Sequence, residues 1–325
     1  MKKLAVYSTL FFASVLWGVS FIMTKEISLT APNMTALHII TFRMFLASVV
    51  MIPLLAAMRK LERIRKGDLK WFLLLSFAEP FLYSFLETSG ILQLDGSLAA
   101  VVIATIPLFV PFGMAAVYKE RIQWLTMVGI LLSLVGIGVM LMGHGSTATG
   151  GQSVVKGLLF LAGAVVVAVL YTLILVKVVD HYRPITITAY QNLIGLIYYL
   201  PVMLLVDGDK LGGLEFSPKV LLLLLALGIL CSTIAYACYN YGIRHIGATA
   251  SCIFTNTIPV FSMIAAVAIG QEHFSLVKVA GMAIVIVGVV IVQVRARTGV
   301  RARTGQMEGE KGREIEQKFE EIEQD

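Results

Sequence analysis

Residues 97–120 read SLAAVVIATIPLFVPFGMAAVYKE, and residues 249–272 read TASCIFTNTIPVFSMIAAVAIGQE. Laid over one another at a shift of 152 positions, both carry Thr-Ile-Pro in the middle, Thr105-Ile106-Pro107 and Thr257-Ile258-Pro259, and both end on a glutamate, Glu120 or Glu272. Each stretch is apolar over about the 20 residues that a helix needs to cross hydrocarbon. A membrane span and its copy are therefore read together, and the rest of the chain is tested against that pair.

The same shift, without a gap, places Lys25 on Lys177, Pro32 on Pro184, Gly90 on Gly242, Gly129 on Gly281 and Gly136 on Gly288. Coinciding leucines would mean little in so apolar a chain, but coinciding proline, lysine, glutamate and glycine point to a duplication. Apolar runs recur at 4–24, 35–58, 71–92, 97–118, 122–142, 154–176, 185–206, 218–241, 247–270 and 274–294. Turn or charge signals separate them, among them Ala31-Pro32-Asn33, Lys119-Glu120-Arg121, Arg183-Pro184 and Asp207-Gly208-Asp209. The expected fold is an all-α integral membrane protein of ten transmembrane helices in two five-helix repeats, residues 1–147 and 148–296. A charged cytoplasmic tail follows at 297–325.

Composition agrees. Apolar residues are 58% and charged residues 14% of the 325, against about 25% charge in a soluble domain, and mean hydropathy is +0.86. That excludes a soluble enzyme and a disordered scaffold. Met1-Lys2-Lys3 precedes an apolar run that lacks an Ala-x-Ala site and is long for a signal peptide, so a retained first helix is expected. The net charge of +6 is scattered through loops, which argues against nucleic acid as a partner. With the N-terminus inside, twenty lysines and arginines face the cytoplasm and five face out. The positive-inside rule then puts both termini in the cytoplasm, in a cell membrane of bacterial type.

Five spans per repeat is an odd number, so equivalent helices cross in opposite directions. Such an inverted repeat lets a carrier exchange inward- and outward-open forms. Charges inside spans cost roughly 2.5–3.5 kcal/mol each and mark candidate sites. Three lie deep, Arg43, Glu79 and Glu87, all in the first repeat. Arg43 and Glu87 are expected at similar depth. Arg43 therefore either grips a substrate carboxylate or forms a structural pair with Glu87. Glu79 is then left over, either as a proton-exchanging or ammonium-binding group or as a structural glutamate. Pro80 beside it removes a backbone bond and is expected to kink the helix. His38 is a weaker proton-pathway candidate near the outer interface. Tyr171, Gln191, Asn192, Tyr236, Tyr239, Asn240, Tyr241, Thr255, Asn256 and Thr257 are read as a polar cavity lining or as interhelical hydrogen bonds.

Glu120 and Glu272 are gate charges or solvated helix ends. The glycine pairs Gly129/Gly136 and Gly281/Gly288 mark packing within a repeat or a homodimer seam. Cys231, Cys238 and Cys252 fall in apolar runs with no disulfide or metal spacing, and are read as small buried residues. In the tail, Arg-Ala-Arg-Thr-Gly occurs twice, at 295–299 and 301–305. The tail is a lipid or partner contact, or simply solvated.

Trp17-Gly18, Phe42-Arg43, the two Thr-Ile-Pro segments and the two following glutamates, on ten spans in two repeats, resemble the drug/metabolite transporter superfamily, EamA type. The resemblance covers about residues 5–295. It implies ten helices around a central cavity, with Trp17 on the substrate pathway and bends at Pro107 and Pro259. It also implies alternating access and export of amino acids or related small metabolites, with proton coupling open. The second repeat departs from the pattern, with Val169-Leu170 where the first has Trp-Gly. The competing reading is an integral-membrane enzyme acting on a lipid or small substrate. No histidine has a second one at metal spacing, and no phosphate loop or Gly-x-Ser-x-Gly elbow occurs, so neither metal nor cofactor is expected.

Overall fold

The computed structural model describes residues 2–118, 124–142, 153–288 and 290–291. Glu120, the repeat boundaries at 147 and 296 and the tail lie outside the described residues. Among the described residues the regular structure is helical: α1 (Lys2–Thr30), α2 (Ala36–Ala57), α3 (Leu69–Gln93), α4 (Gly96–Val117), α5 (Trp124–Met142), α6 (Val154–Leu175), α7 (Pro184–Val206), α8 (Pro218–Ile246), α9 (248–268) and α10 (Leu276–Gly288). Seven, α1–α4 and α6–α8, are long and apolar enough to cross a membrane. The apolar parts of α5, α9 and α10 are shorter, at Met127–Met140, Phe254–Ala268 and Leu276–Gly288. Leu131, Leu205 and Leu222 stand exposed on outward faces, as side chains that meet lipid would.

The first helix runs past its expected end at 24 to Thr30, because nothing breaks it before Pro32. The charges thereby drawn into α1 are partnered. Glu26 pairs with Lys219, and the buried Lys25 donates to the Leu92 carbonyl at 3.4 Å.

Four helices are interrupted in mid-course. In α3 the residues Phe77–Leu82 widen to the five-residue hydrogen-bond spacing, with Glu79 at φ −139, ψ 121 and the Glu79–Pro80 peptide cis. Leu227–Ala235 in α8 widen likewise without a proline. In α4 a turn at Ala104 and Thr105 separates two helical segments, and Pro107 is the second residue of the later one. Cys252–Thr257 in α9 tighten to the three-residue spacing, and Pro259 again comes second in the segment that follows. Hydroxyls take up carbonyls at these breaks: Thr105 donates to Val102 at 2.6 Å and Thr257 to Phe254 at 2.8 Å.

The tightest helix pairs join distant parts of the chain: α1 packs on α8 and α9, α6 on α3 and α4, and α2 on α7 and α8. Gly136 of α5 and Gly281 of α10 face each other. A Cβ added to either would lie 2.6–2.7 Å from the other's carbonyl oxygen. This contact crosses between the expected repeats, so Gly136 and Gly281 belong to neither arrangement proposed for them from sequence.

Candidate functional site

Helices α1, α2, α3, α4, α6, α8 and α9 line a cavity of about 70 Å³. Arg43 enters from α2, and Glu79, Tyr83 and Glu87 from α3. Trp17, Ser20 and Phe21 form the α1 side, and Tyr171 and Thr172 the α6 side. Tyr236 and Tyr239 come from α8, and Cys252 and Thr255 from the interrupted part of α9. Ile103, Ile106 and Ile258, at the breaks of α4 and α9, complete an apolar wall.

The three deep charges thus line one cavity, but not as expected. Arg43 donates through Nε and Nη2 to the Ser232 hydroxyl of α8, at 3.2 and 3.1 Å. Among the described residues no ion pair within 4 Å joins Arg43 to Glu87. Glu87 instead accepts from Tyr83, one turn away, at 2.7 Å. The widened turn of α8 brings Ser232 within reach of the guanidinium, so depth alone misjudged its partner. Glu79 is not left without partners either. Ser84 donates to its carboxylate at 3.3 Å, the Tyr236 hydroxyl approaches from α8, and Gln191 donates to its carbonyl at 3.0 Å.

Trp17 meets Tyr236 and Tyr239 edge-on, with centroids 5.0 and 5.1 Å apart, and the Tyr239 hydroxyl lies 3.0 Å from Cys252 Sγ. Behind the wall, Tyr171 donates to Asn240 Oδ1 at 3.3 Å, and Asn240 donates to Thr188 at 3.1 Å. This chain ties α6, α8 and α7 together. Gln191 borders an adjoining chamber of about 10 Å³, which Glu79, Ser232 and Tyr236 also line.

Of the sequence candidates, Trp17, Arg43, Glu79, Glu87, Tyr171, Tyr236, Tyr239 and Thr255 line the main cavity. Asn240 stands behind it. Asn256 is buried in the α9 interruption outside the lining. His38 is buried at the start of α2, closing a reciprocal cap with Thr35 and lying 3.2 Å from the Asp207 carbonyl. Thr35 also donates to the Asp207 carboxylate at 2.7 Å, and Lys210 pairs with it. Burial acts to raise the Asp207 pKa, but these hydrogen bonds and the Lys210 charge outweigh it and hold it below the ordinary carboxylate value. His38 is thus part of a helix junction. Glu272 is buried too: it accepts from Ser97 N at 3.0 Å at the start of α4 and pairs with Lys278 at 3.0 Å. It is not a solvated end.

Sequence reasoning missed Ser232, Tyr83, Ser20 and Thr172. Tyr83 had a signal, four residues before Glu87 on the same helix face. The serines and the threonine had none, because hydroxyls in apolar helices commonly bond their own backbone.

The EamA-like transporter family model matches the chain twice, over residues 4–142 and 155–294. The chain belongs to the EamA-like transporter family. An uncharacterized transporter of Bacillus subtilis (strain 168), YetK, is 25% identical over 301 residues, 91% of this chain and 89% of its own. An uncharacterized transporter of Archaeoglobus fulgidus is 27% identical over 277 residues, 85% and 94% of the two chains. A crystal structure at 20% identity matches 90% of this chain and 98% of its own with a TM-score of 0.66, which shows a shared fold. As a member of the EamA-like family, with several apolar helices long enough to span, the chain is a multi-pass membrane protein. Family and relatives point to transport rather than catalysis.

Proposed function

We propose that this EamA-like protein is a secondary transporter of small polar metabolites, amino acids or related compounds, and that it works by alternating access at the central cavity. The observation that carries this reading is the cavity itself. It collects the deep charges Arg43, Glu79 and Glu87 into a wall drawn from both segments that the family model matches. Charges at membrane depth persist where they serve a ligand or its pathway.

Two further features support an inverted repeat of ten spans. The interruptions coincide under the 152-residue shift: the widened turn of α3 falls within that of α8, and the turn of α4 falls within the tightened segment of α9. The principal packing pairs map onto one another when the two halves are exchanged, since α1 on α9 becomes α6 on α4, and α3 on α6 becomes α8 on α1. The proposed topology has both termini in the cytoplasm, supported by the lysine and arginine asymmetry. The proposed direction is export, as in the family it resembles.

Counterflow of radiolabelled metabolites in proteoliposomes tests the reading. Saturable exchange that is reduced at least tenfold in Glu79→Gln is expected. A folded protein that exchanges no member of a broad metabolite panel would falsify it.

A further inference from the structure

Five hydroxyls of the cavity lining direct their hydrogens to other acceptors of the protein. Ser20 donates to the Trp17 carbonyl at 2.7 Å, Thr172 to Ala168 at 2.8 Å and Thr255 to Cys252 at 2.7 Å. Tyr83 and Tyr171 donate to Glu87 and Asn240. A hydroxyl whose hydrogen is committed can offer a ligand only its lone pairs. With the carboxylates of Glu79 and Glu87, the wall therefore presents acceptors.

Its one guanidinium redresses this only in part. Arg43 has turned its Nε and Nη2 edge, suited to a two-point grip on a carboxylate, onto Ser232. Two carboxylates against one guanidinium leave one carboxylate that a proton or a bound cation must neutralise. Excess charge away from water is costly until something balances it. Trp17, Tyr236 and Tyr239 add aromatic rings, which attract cations.

We propose that the cavity takes a small organic cation: a primary or secondary amine on an apolar or aromatic body, with no carboxylate. Its ammonium group is held by Glu79 and Glu87 and the neighbouring hydroxyl oxygens, and its body lies against Trp17 and Tyr236. This keeps the transport reading and its cavity but replaces amino acids by amines related to them, and binding tests it apart from transport.

Three compounds sharing a phenyl ring separate the alternatives by charge at neutral pH: phenethylamine (cation), phenylalanine (zwitterion) and 3-phenylpropionate (anion). Thermal unfolding of the purified full chain in detergent is followed as each is titrated. Phenethylamine is expected to stabilise saturably, with a midpoint at least tenfold below that of phenylalanine, and 3-phenylpropionate to have no effect. Glu79→Gln, or Glu87→Gln should the first fail to fold, is expected to weaken the amine at least tenfold. Stabilisation by the zwitterion or the anion equal to that by the amine overturns the proposal. So does stabilisation by none of the three in the wild-type protein. Counterflow of another solute would then leave the transport reading standing, whereas amine binding with no counterflow of any solute would remove transport alone.

Discussion

Arg43 shows what a residue can and cannot disclose in sequence. A guanidinium inside an apolar run is costly enough to announce itself, as are Glu79 and Glu87, and all three reach the cavity. Ser232 does not announce itself, because a serine in a membrane helix can satisfy its hydroxyl on its own backbone. Replacing Ser232 by alanine removes the acceptor of both Arg43 hydrogen bonds. The expected cost is about 1–3 kcal/mol, seen as a lower unfolding temperature together with slower counterflow. Unchanged stability would show that the guanidinium is held elsewhere.

His38 misled in the opposite direction, since a titratable group near a span end serves a cap as readily as a pathway. The junction it shares with Thr35 and Asp207 has its own pH signature. The Asp207 pKa is lower folded than unfolded, so the stability it contributes is present above the ordinary aspartate value of 3.8 and is lost as pH falls below it. Asp207→Asn should therefore lower the unfolding temperature at pH 7, with the gap to wild type closing below about pH 4. A gap that does not narrow at all as pH falls below about 4 would assign the effect to packing.

Among elements, the seven helices long enough to cross a membrane were legible because apolar length is a direct demand of the bilayer. The mid-helix interruptions were legible only where proline marked them. Pro80, Pro107 and Pro259 each lie at or just after one, whereas the widened turn of α8 has no proline. The missing Trp-Gly pair in α6 also finds a structural account. Gly18 lets α1 approach α9, where an added Cβ would lie 2.7 Å from Phe261 Cβ. At the corresponding contact of α6 with α4 the small residue is on the other helix, where an added Cβ on Gly113 would lie 2.6 Å from Val169. A shift comparison cannot see a glycine that has changed sides. Contact between α5 and α10 gives a controlled test. Gly281→Val should cost about 1–3 kcal/mol by overpacking, while Gly138→Val, which has nothing within 4 Å, should be nearly neutral. Equal effects would mean that the two helices do not meet at Gly281.

For the whole molecule, the two family matches, the paired interruptions and the shared packing pairs support the proposed scaffold of two equivalent halves. The deep charges break that equivalence, since Arg43, Glu79 and Glu87 all belong to the first half. Scaffold and site were unequally legible for the same reason. A bilayer imposes its pattern on every span, whereas the cavity depends on which of many similar side chains turn inward. Thr255 lies in the cavity wall and makes its two-sided exposure measurable. Cys231, Cys238 and Cys252 are first replaced by alanine, and Thr255→Cys then supplies a single thiol. A membrane-impermeant thiol reagent is applied to right-side-out and to inverted vesicles. Alternating access requires modification of that thiol from both sides of the membrane, with loss of counterflow each time. Modification from one side only, in a protein that still folds and exchanges substrate, would contradict it.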